Sequence, residues 1–327
     1  MQTLVTGSAG HLGEALMRTL RSDGVAARGI DVKASPFTDA VGSIAERAFV
    51  REALRGVDTV LHTATLHKPH IATHSRQDFI DTNISGTLNL LEEAIDAGVQ
   101  QFVFTSTTSA YGFALQPAPQ APAVWVDEDL VPIPKNIYGI TKLAAENLCE
   151  LMQRKSGLPC LVLRTSRFFP EVDDDEDTRG KYDDTNIKLN ELLYRRVDVA
   201  DVVSAHLAAV QRARAIGFGR YVITATTPYR REDAAELSAN APGVLVRRVP
   251  ECREAYARRG WKMFPGIGRV YDNALARAAL GWQPRYGFAH AMACLERGED
   301  YRSPLAQAIG VKGYHARAFE HGPYPVE

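Results

Sequence analysis

Met1-Gln-Thr-Leu-Val-Thr-Gly-Ser-Ala-Gly-His-Leu-Gly13 carries a short apolar strand directly into glycines at 7, 10 and 13, and then into the helix-like stretch 14–21. Each glycine has a separate use where a chain must receive a dinucleotide. Gly7 permits the tight turn, Gly10 lets the backbone approach a pyrophosphate, and Gly13 lets helix and strand pack closely while the helix N-terminus faces the phosphates. Asp31 closes a second apolar stretch, 25–30, and lies 18 residues beyond Gly13. A carboxylate there accepts hydrogen bonds from both hydroxyls of an adenosine ribose and repels a 2′-phosphate. The two features together predict a dinucleotide site and favour NAD over NADP, with Lys33 partly offsetting Asp31.

Working outward, strand and helix signals alternate. Strands are expected at 3–6, 25–30, 37–41 (weaker), 59–63, 101–106 and 160–164, and helices at 12–21, 45–54, 75–97 and 138–155. Continuous apolar strands separated by amphipathic helices imply a parallel sheet covered on both faces, with ligands beyond the C-terminal strand ends. The expected fold is therefore α/β, a doubly wound parallel sheet. Residues 1–165 form the nucleotide-binding domain, and 166–327 form mainly a smaller substrate-binding domain with segments returning to the sheet. The proline-rich stretch 116–134 reads as a loop. Beyond Arg164 the pattern is irregular: the acidic run Asp173-Asp-Asp-Glu-Asp177 reads as a solvated loop. Helices are expected at 199–212, 273–280 and 288–297, and a strand at 221–225.

At 327 residues the chain can bury a large core. A net charge of -1 gives no nucleic-acid footprint. The first strand starts almost at the first residue, which leaves no room for a signal peptide, and no apolar run approaches the roughly 18 residues of a membrane span. Cys149, Cys160, Cys252 and Cys294 are scattered without CxxC spacing and read as reduced residues of a cytoplasmic protein.

Tyr138-Gly-Ile-Thr-Lys142 places a phenol and an ammonium on one helix face. A cation near a tyrosine stabilises phenolate, so such a residue can take a proton from an alcohol as hydride leaves the same carbon. Surface snorkelling of the lysine is the alternative reading of the pair. The hydroxyl run Thr105-Ser-Thr-Thr-Ser109 at the end of a strand could orient a substrate oxygen, or simply cap the strand.

These residues resemble the extended short-chain dehydrogenase/reductase family, in its NAD-dependent epimerase/dehydratase branch. The resemblance rests on Thr6-Gly-Ser-Ala-Gly-His-Leu-Gly13, Asp31, Leu61-His-Thr-Ala64, Asn83, Phe104-Thr-Ser-Thr-Thr-Ser-Ala-Tyr-Gly112, Tyr138-Gly-Ile-Thr-Lys142 and Leu163-Arg164. Later landmarks are Arg196-Val-Asp-Val-Ala-Asp201 and Leu280-Gly-Trp282, so it covers about residues 1–295. It implies a Rossmann-type domain holding NAD. Tyr138 would be the acid/base, Lys142 its partner and a ribose ligand, and Thr107 would stand for the catalytic serine or threonine. The cofactor would meet Gly7, Gly10, His11, Leu12, Gly13, Asp31, Ser43, Ile44, Thr63, Ala64, Thr65, Asn83 and Thr105, together with Tyr138 and Lys142. It further implies a sugar or nucleotide-sugar substrate and a homodimer through the long helices 75–97 and 138–155.

Departures from the family pattern narrow the chemistry. Dehydratases of this branch carry Asp-Glu directly after the catalytic threonine; Thr108-Ser109 stands there, which argues against dehydration and leaves Thr108 a substrate contact. Gly42-Ser43 replaces the usual Gly-Asp and removes an adenine contact. Arg167 replaces a substrate-binding asparagine; it could grip a diphosphate or carboxylate, or pair with the acidic run. The segment 170–196 is short for a nucleotide-sugar enzyme. Asn186, Lys188, Arg195 and Arg269 are the other expected substrate-side groups. Both sugar epimerisation, the favoured outcome, and net dehydrogenation of a small or carboxylated substrate fit these residues, as would, at the other extreme, a non-catalytic NAD-binding protein. His67, His70 and His74 read as a surface turn and helix start, and no metal site is expected. The tail, 302–327, reads as an extended arm packed on its own subunit or a partner.

Overall fold

The computed structural model describes residues 2–313, 315 and 319. β1 (Thr3–Thr6) leads through the glycine turn into α1 (His11–Ser22), followed by β2 (Ala27–Asp31), β3 (Ala40–Val41), α2 (Arg47–Ala53) and β4 (Thr59–His62). Next come α3 (Arg76–Phe79), a π-helical turn at Ile80–Ser85 and α4 (Gly86–Asp96), which together make one helical rod. β5 (Gln101–Thr107), β6 (Val124–Val126), α5 (Ile137–Ser156) and β7 (Cys160–Thr165) complete the first half. The second half runs α6 (Glu176–Lys181), α7 (Asp184–Leu192), α8 (Val199–Ile216), β8 (Phe218–Ile223), α9 (Ala234–Arg248) and α10 (Cys252–Arg259). It ends with β9 (Arg269–Tyr271), α11 (Ala274–Leu280), α12 (Phe288–Glu296) and α13 (Pro304–Ile309).

Among the described residues the main sheet has seven strands in the order β3-β2-β1-β4-β5-β7-β8, all paired in parallel. Side chains alternate between its faces. Leu4, Val60, Phe102, Phe104 and Val162 face α2, α4 and α5, whereas Val5, Leu61, Val103, Leu161 and Leu163 face α1 and α8. Both faces are therefore buried, which is why these strands read as unbroken apolar runs. The strand order reverses at the β1–β4 boundary, where Thr6 lies between Ile30 and His62. A crevice opens at such a boundary beyond the carboxyl ends.

The C-terminal half carries its own apolar cluster, built from α7, α9, α10 and α12 with Ile267 and Val270. Several of these elements differ from the sequence expectation. α7 buries Asn186, Lys188, Asn190 and Glu191 beside its leucines, so it presents no clean apolar stripe. α9 contains Pro242 and a non-helical residue, Asn240, which break its periodicity. The proline-rich stretch 116–134 contains β6, whose partner β9 lies far away in sequence. The expected strand 221–225 is β8, set three residues earlier. The start of the tail packs on its own chain: α13 lies against α1 and α8. The rest of that arm, apart from 310–313, 315 and 319, lies outside the described residues.

Candidate active site

A cleft of about 1030 Å³ runs along the carboxyl ends of the strands, lined at one end by the glycine turn and at the other by Arg195, Arg269 and Tyr271. At the turn, Gly7 has φ +73°, and a Cβ there would lie 2.8 Å from Ala64 N. A Cβ on Gly13 would stand 1.9 Å from Gly7 O, so only glycine lets α1 pack this close to the strand. His11, Leu12 and Gly10 line the same wall. The α1 N-terminus thus faces the cleft with its first-turn backbone N–H groups, as a pyrophosphate needs.

Asp31 is held at the end of β2: its Oδ2 accepts from Ala9 N at 3.0 Å and its Oδ1 from Lys33 N at 2.9 Å. Ser43, Ile44, Thr63, Ala64 and Thr65 continue the lining. His62 anchors this loop from behind, bridging Thr6 Oγ1 (2.8 Å) and Thr87 Oγ1 (2.9 Å). Complete burial holds its imidazole well below the usual range, and hence neutral. Asn83 is placed on the π-helical turn with both ends of its amide in use. It accepts from Leu66 N and Thr65 Oγ1, and donates to Leu66 O and Thr141 Oγ1. It ties the cofactor loop to α5 rather than lining the cleft. The donors, the glycine cradle and Asp31 fit NAD.

Thr107 ends β5 and Tyr138 stands in the first turn of α5, which Asn136 caps by accepting from Gly139 N at 3.1 Å. Both residues line the cleft. Burial pushes the Tyr138 phenol up to about 12, against the influence of the Thr107 hydroxyl, which draws it down. Lys142 is only 2 % exposed; its Nζ donates to Thr105 O at 2.6 Å and sits 4.0 Å over the Phe104 ring. Burial lowers its ammonium to about 7, against the pull of Glu146. Lys142 therefore stands behind the cleft wall and is turned onto a carbonyl, not onto the phenol. Thr105 Oγ1 is 2.7 Å from His206 Nε2, whose Nδ1 faces Val202 O at 2.8 Å. A carbonyl only accepts, so Nδ1 carries the proton and the Thr105 hydroxyl donates to Nε2. Below this, Glu146 receives Arg164 Nη2 at 2.7 Å and Ser106 Oγ at 2.5 Å in full burial.

At the substrate end the acidic run is solvated only in its second part: Asp175, which caps α6, Glu176 and Asp177 are exposed. Asp173, in contrast, is buried and takes Arg167 at 2.8 Å, and Asp174 takes Lys68 at 2.9 Å and Arg167 at 3.2 Å. Glu191, fully buried, takes Arg195 at 2.5 Å and Arg196 at 2.7 Å. Burial opposes its ionisation, and Arg195, Arg196 and Arg167 overcome that and hold it well below the usual carboxylate range. Arg167 is thus bound into an ion-pair network, one of its two expected roles. The physical cause is the cost of leaving these charges unpaired out of water. Arg269 differs: it lines the cleft, and its Nε has no hydrogen-bond partner among the described residues. Thr108 and Arg195 also line the cleft, whereas Asn186 is buried in α7 away from it.

His67 and His70 are not on a surface turn. Both line the cleft, with the His67 ring stacked on Phe169 (5.6 Å, 20°) and 6.4 Å from that of Tyr138. Ser166, with its Oγ unpartnered among the described residues, lines the cleft as well. Their place at the carboxyl ends of β4 and β7 was the available signal. Among the described residues no group of His, Cys, Asp or Glu is arranged to hold a metal ion, and no helix is long and apolar enough to cross a membrane.

The profile of the NAD dependent epimerase/dehydratase family matches residues 3–224. The chain is 27% identical over 330 residues to a UDP-glucose 4-epimerase of Rhizobium meliloti, covering 88% of this chain and 93% of that one. It is 38% identical over 126 residues to sterol demethylase protein B of Methylococcus capsulatus, but spans only 38% of that protein's length. The fold matches a short-chain dehydrogenase/reductase superfamily protein from Agrobacterium tumefaciens with bound NAD, at TM-score 0.64 and 23% identity, over 94% of this chain and 99% of that one. The glycine cradle, the Asp31 carboxylate at the cleft and this match over most of the chain lead to one conclusion: the chain is an NAD-binding enzyme that belongs to the NAD dependent epimerase/dehydratase family.

Proposed function

We propose that the chain is a sugar epimerase acting on a nucleotide sugar in the manner of UDP-glucose 4-epimerase. The observation that carries the reading is the placing of the Thr107 and Tyr138 hydroxyls together in the cleft between the NAD turn and Arg269, whose Nε has no hydrogen-bond partner among the described residues. NAD, when bound, accepts a hydride from the sugar carbon and returns it. Tyr138 takes the hydroxyl proton and gives it back, and Thr107 steadies the oxygen. A phenol held near 12 by burial is a weak base at neutral pH, so the Lys142 ammonium, one helical turn away, has to leave Thr105 O and face Tyr138 in the working state. Arg269 and Arg195 offer guanidinium groups to an anionic part of the substrate, and Thr108 a hydroxyl.

One observation favours a second reading, net dehydrogenation of a small or carboxylated sugar: the segment between Pro170 and Arg196 is short. Denaturing fresh protein, identifying released cofactor and adding UDP-glucose, UDP-glucuronate and free uronates separates the two. Stoichiometric NAD and an epimer without net NADH support the epimerase; NADH accumulating only with added NAD supports the dehydrogenase. In either case Tyr138→Phe is expected to cut turnover at least about a hundredfold with NAD affinity near normal. Full turnover in that variant would remove Tyr138 from the chemistry. The four cysteines are free and buried, which supports a reducing, cytoplasmic setting for the reaction.

A further inference from the structure

We propose that Lys312 is a cofactor-positioning residue, delivered by the C-terminal arm to the glycine turn as the counter-ion that lets a pyrophosphate sit above Glu14. Glu14 stands in the first turn of α1 and is 8 % exposed. A carboxylate there favours the helix dipole, but it also opposes two phosphate charges arriving at the same helix end. Two cations answer it: Arg18 Nε at 2.7 Å, one turn along the helix, and Lys312 Nζ at 2.5 Å, from 298 residues away. Arg18 is held on α1 by its i,i+4 spacing, behind the turn. Lys312 reaches Glu14 from the cleft side, since Lys312 and Gly313 line the cleft while Glu14 does not.

The same ammonium donates to Ala9 O at 2.9 Å, inside the glycine turn itself. A second contact ties the arm across the cleft, where His315 Nε2 donates to Pro69 O at 2.8 Å in the loop after β4. The arm thus joins the two loops that flank the phosphate end of the cleft. Two opposing effects govern Glu14: burial raises its pKa, and the cations Lys312 and Arg18 outweigh burial and hold it below the usual range. Taking Lys312 away leaves that carboxylate less compensated where phosphate must bind. By linkage, cofactor binding and docking of the arm then strengthen one another.

The test is NAD affinity and NADH release rate, read by NADH fluorescence on the full chain. Lys312→Ala is expected to weaken NAD about tenfold and speed release, and Lys312→Arg to hold near the parent value. In a Glu14→Gln background the same Lys312→Ala change is expected to cost less than about threefold, because the charge it answers is gone. A chain ending after Gly310, which keeps α13, should match Lys312→Ala. Melting without NAD serves as the folding control, and each variant should melt near the parent. Unchanged affinity and release in Lys312→Ala would overturn the proposal. So would an equal loss in both backgrounds, since that would make the lysine a contact independent of Glu14.

Discussion

Lys142 shows how burial and function pull on one side chain. Its ammonium is held near 7 by burial, whereas an unfolded chain keeps that proton to the lysine value of 10.5. Between those pH values unfolding takes up a proton, so stability rises with pH; below about 7 both states are protonated and the full deficit remains. We expect the urea midpoint of the cofactor-free protein to climb from pH 6.5 to 9, and this slope to shrink in Lys142→Met. An equal slope in both proteins would place the titration elsewhere. Spacing placed Tyr138 and Lys142 on one helix face and left surface snorkelling of the lysine open. The direction in which Lys142 points was not, since Thr105 O and the Phe104 ring that receive it come from another strand. Arg167 teaches the same lesson: residue type allowed a substrate clamp or an ion pair, and only the folding of Asp173 and Asp174 back onto it selected the pair.

At the scale of elements, the β1–turn–α1 unit is the most constrained. Gly13 has no room for a methyl group, the nearest obstacle being the Gly7 carbonyl at 1.9 Å. Gly13→Ala is expected to displace the start of α1, lower the melting temperature and weaken NAD at least about tenfold, which calorimetry of melting and NAD titration would read. Gly10 has more space, its nearest contact being 3.2 Å, so Gly10→Ala should melt closer to the parent. Strands such as β5 and β7 were plain in the sequence because burial on both faces makes their centres, residues 102–104 and 160–163, continuously apolar. α7 was not, because its Glu191 and Asn190 are buried by pairing and not by apolarity. β6 is three residues long, and only its pairing with β9 makes it a strand.

For the whole molecule, the sheet leaves the outer side of α5 partly uncovered. Ile140 is 53 % and Leu151 41 % exposed there, large apolar groups on the helix expected to pair with α4 in a dimer bundle. Two copies joined through these helices would cover both residues. Light scattering behind size exclusion is expected to give a mass near twice 35.9 kDa, and Ile140→Glu with Leu151→Glu to give the monomer. A monomeric parent at micromolar concentration would exclude this assembly.

The nucleotide-binding turn, the acidic residue at the end of β2, the placing of Tyr138 and Lys142 on one helix face and the alternation of strand and helix were all determined by the sequence itself. Each depends on local spacing: glycines three apart, a phenol and ammonium one turn apart, apolar runs of strand length. The closing of the acidic run onto Arg167, the turning of Lys142 onto Thr105, the His67–Phe169 wall and the reach of Lys312 to Glu14 were decided only by tertiary structure. Each of these joins residues distant in the chain or chooses among several partners of suitable charge. The choice follows from which charges folding removes from water together, and no local pattern encodes it.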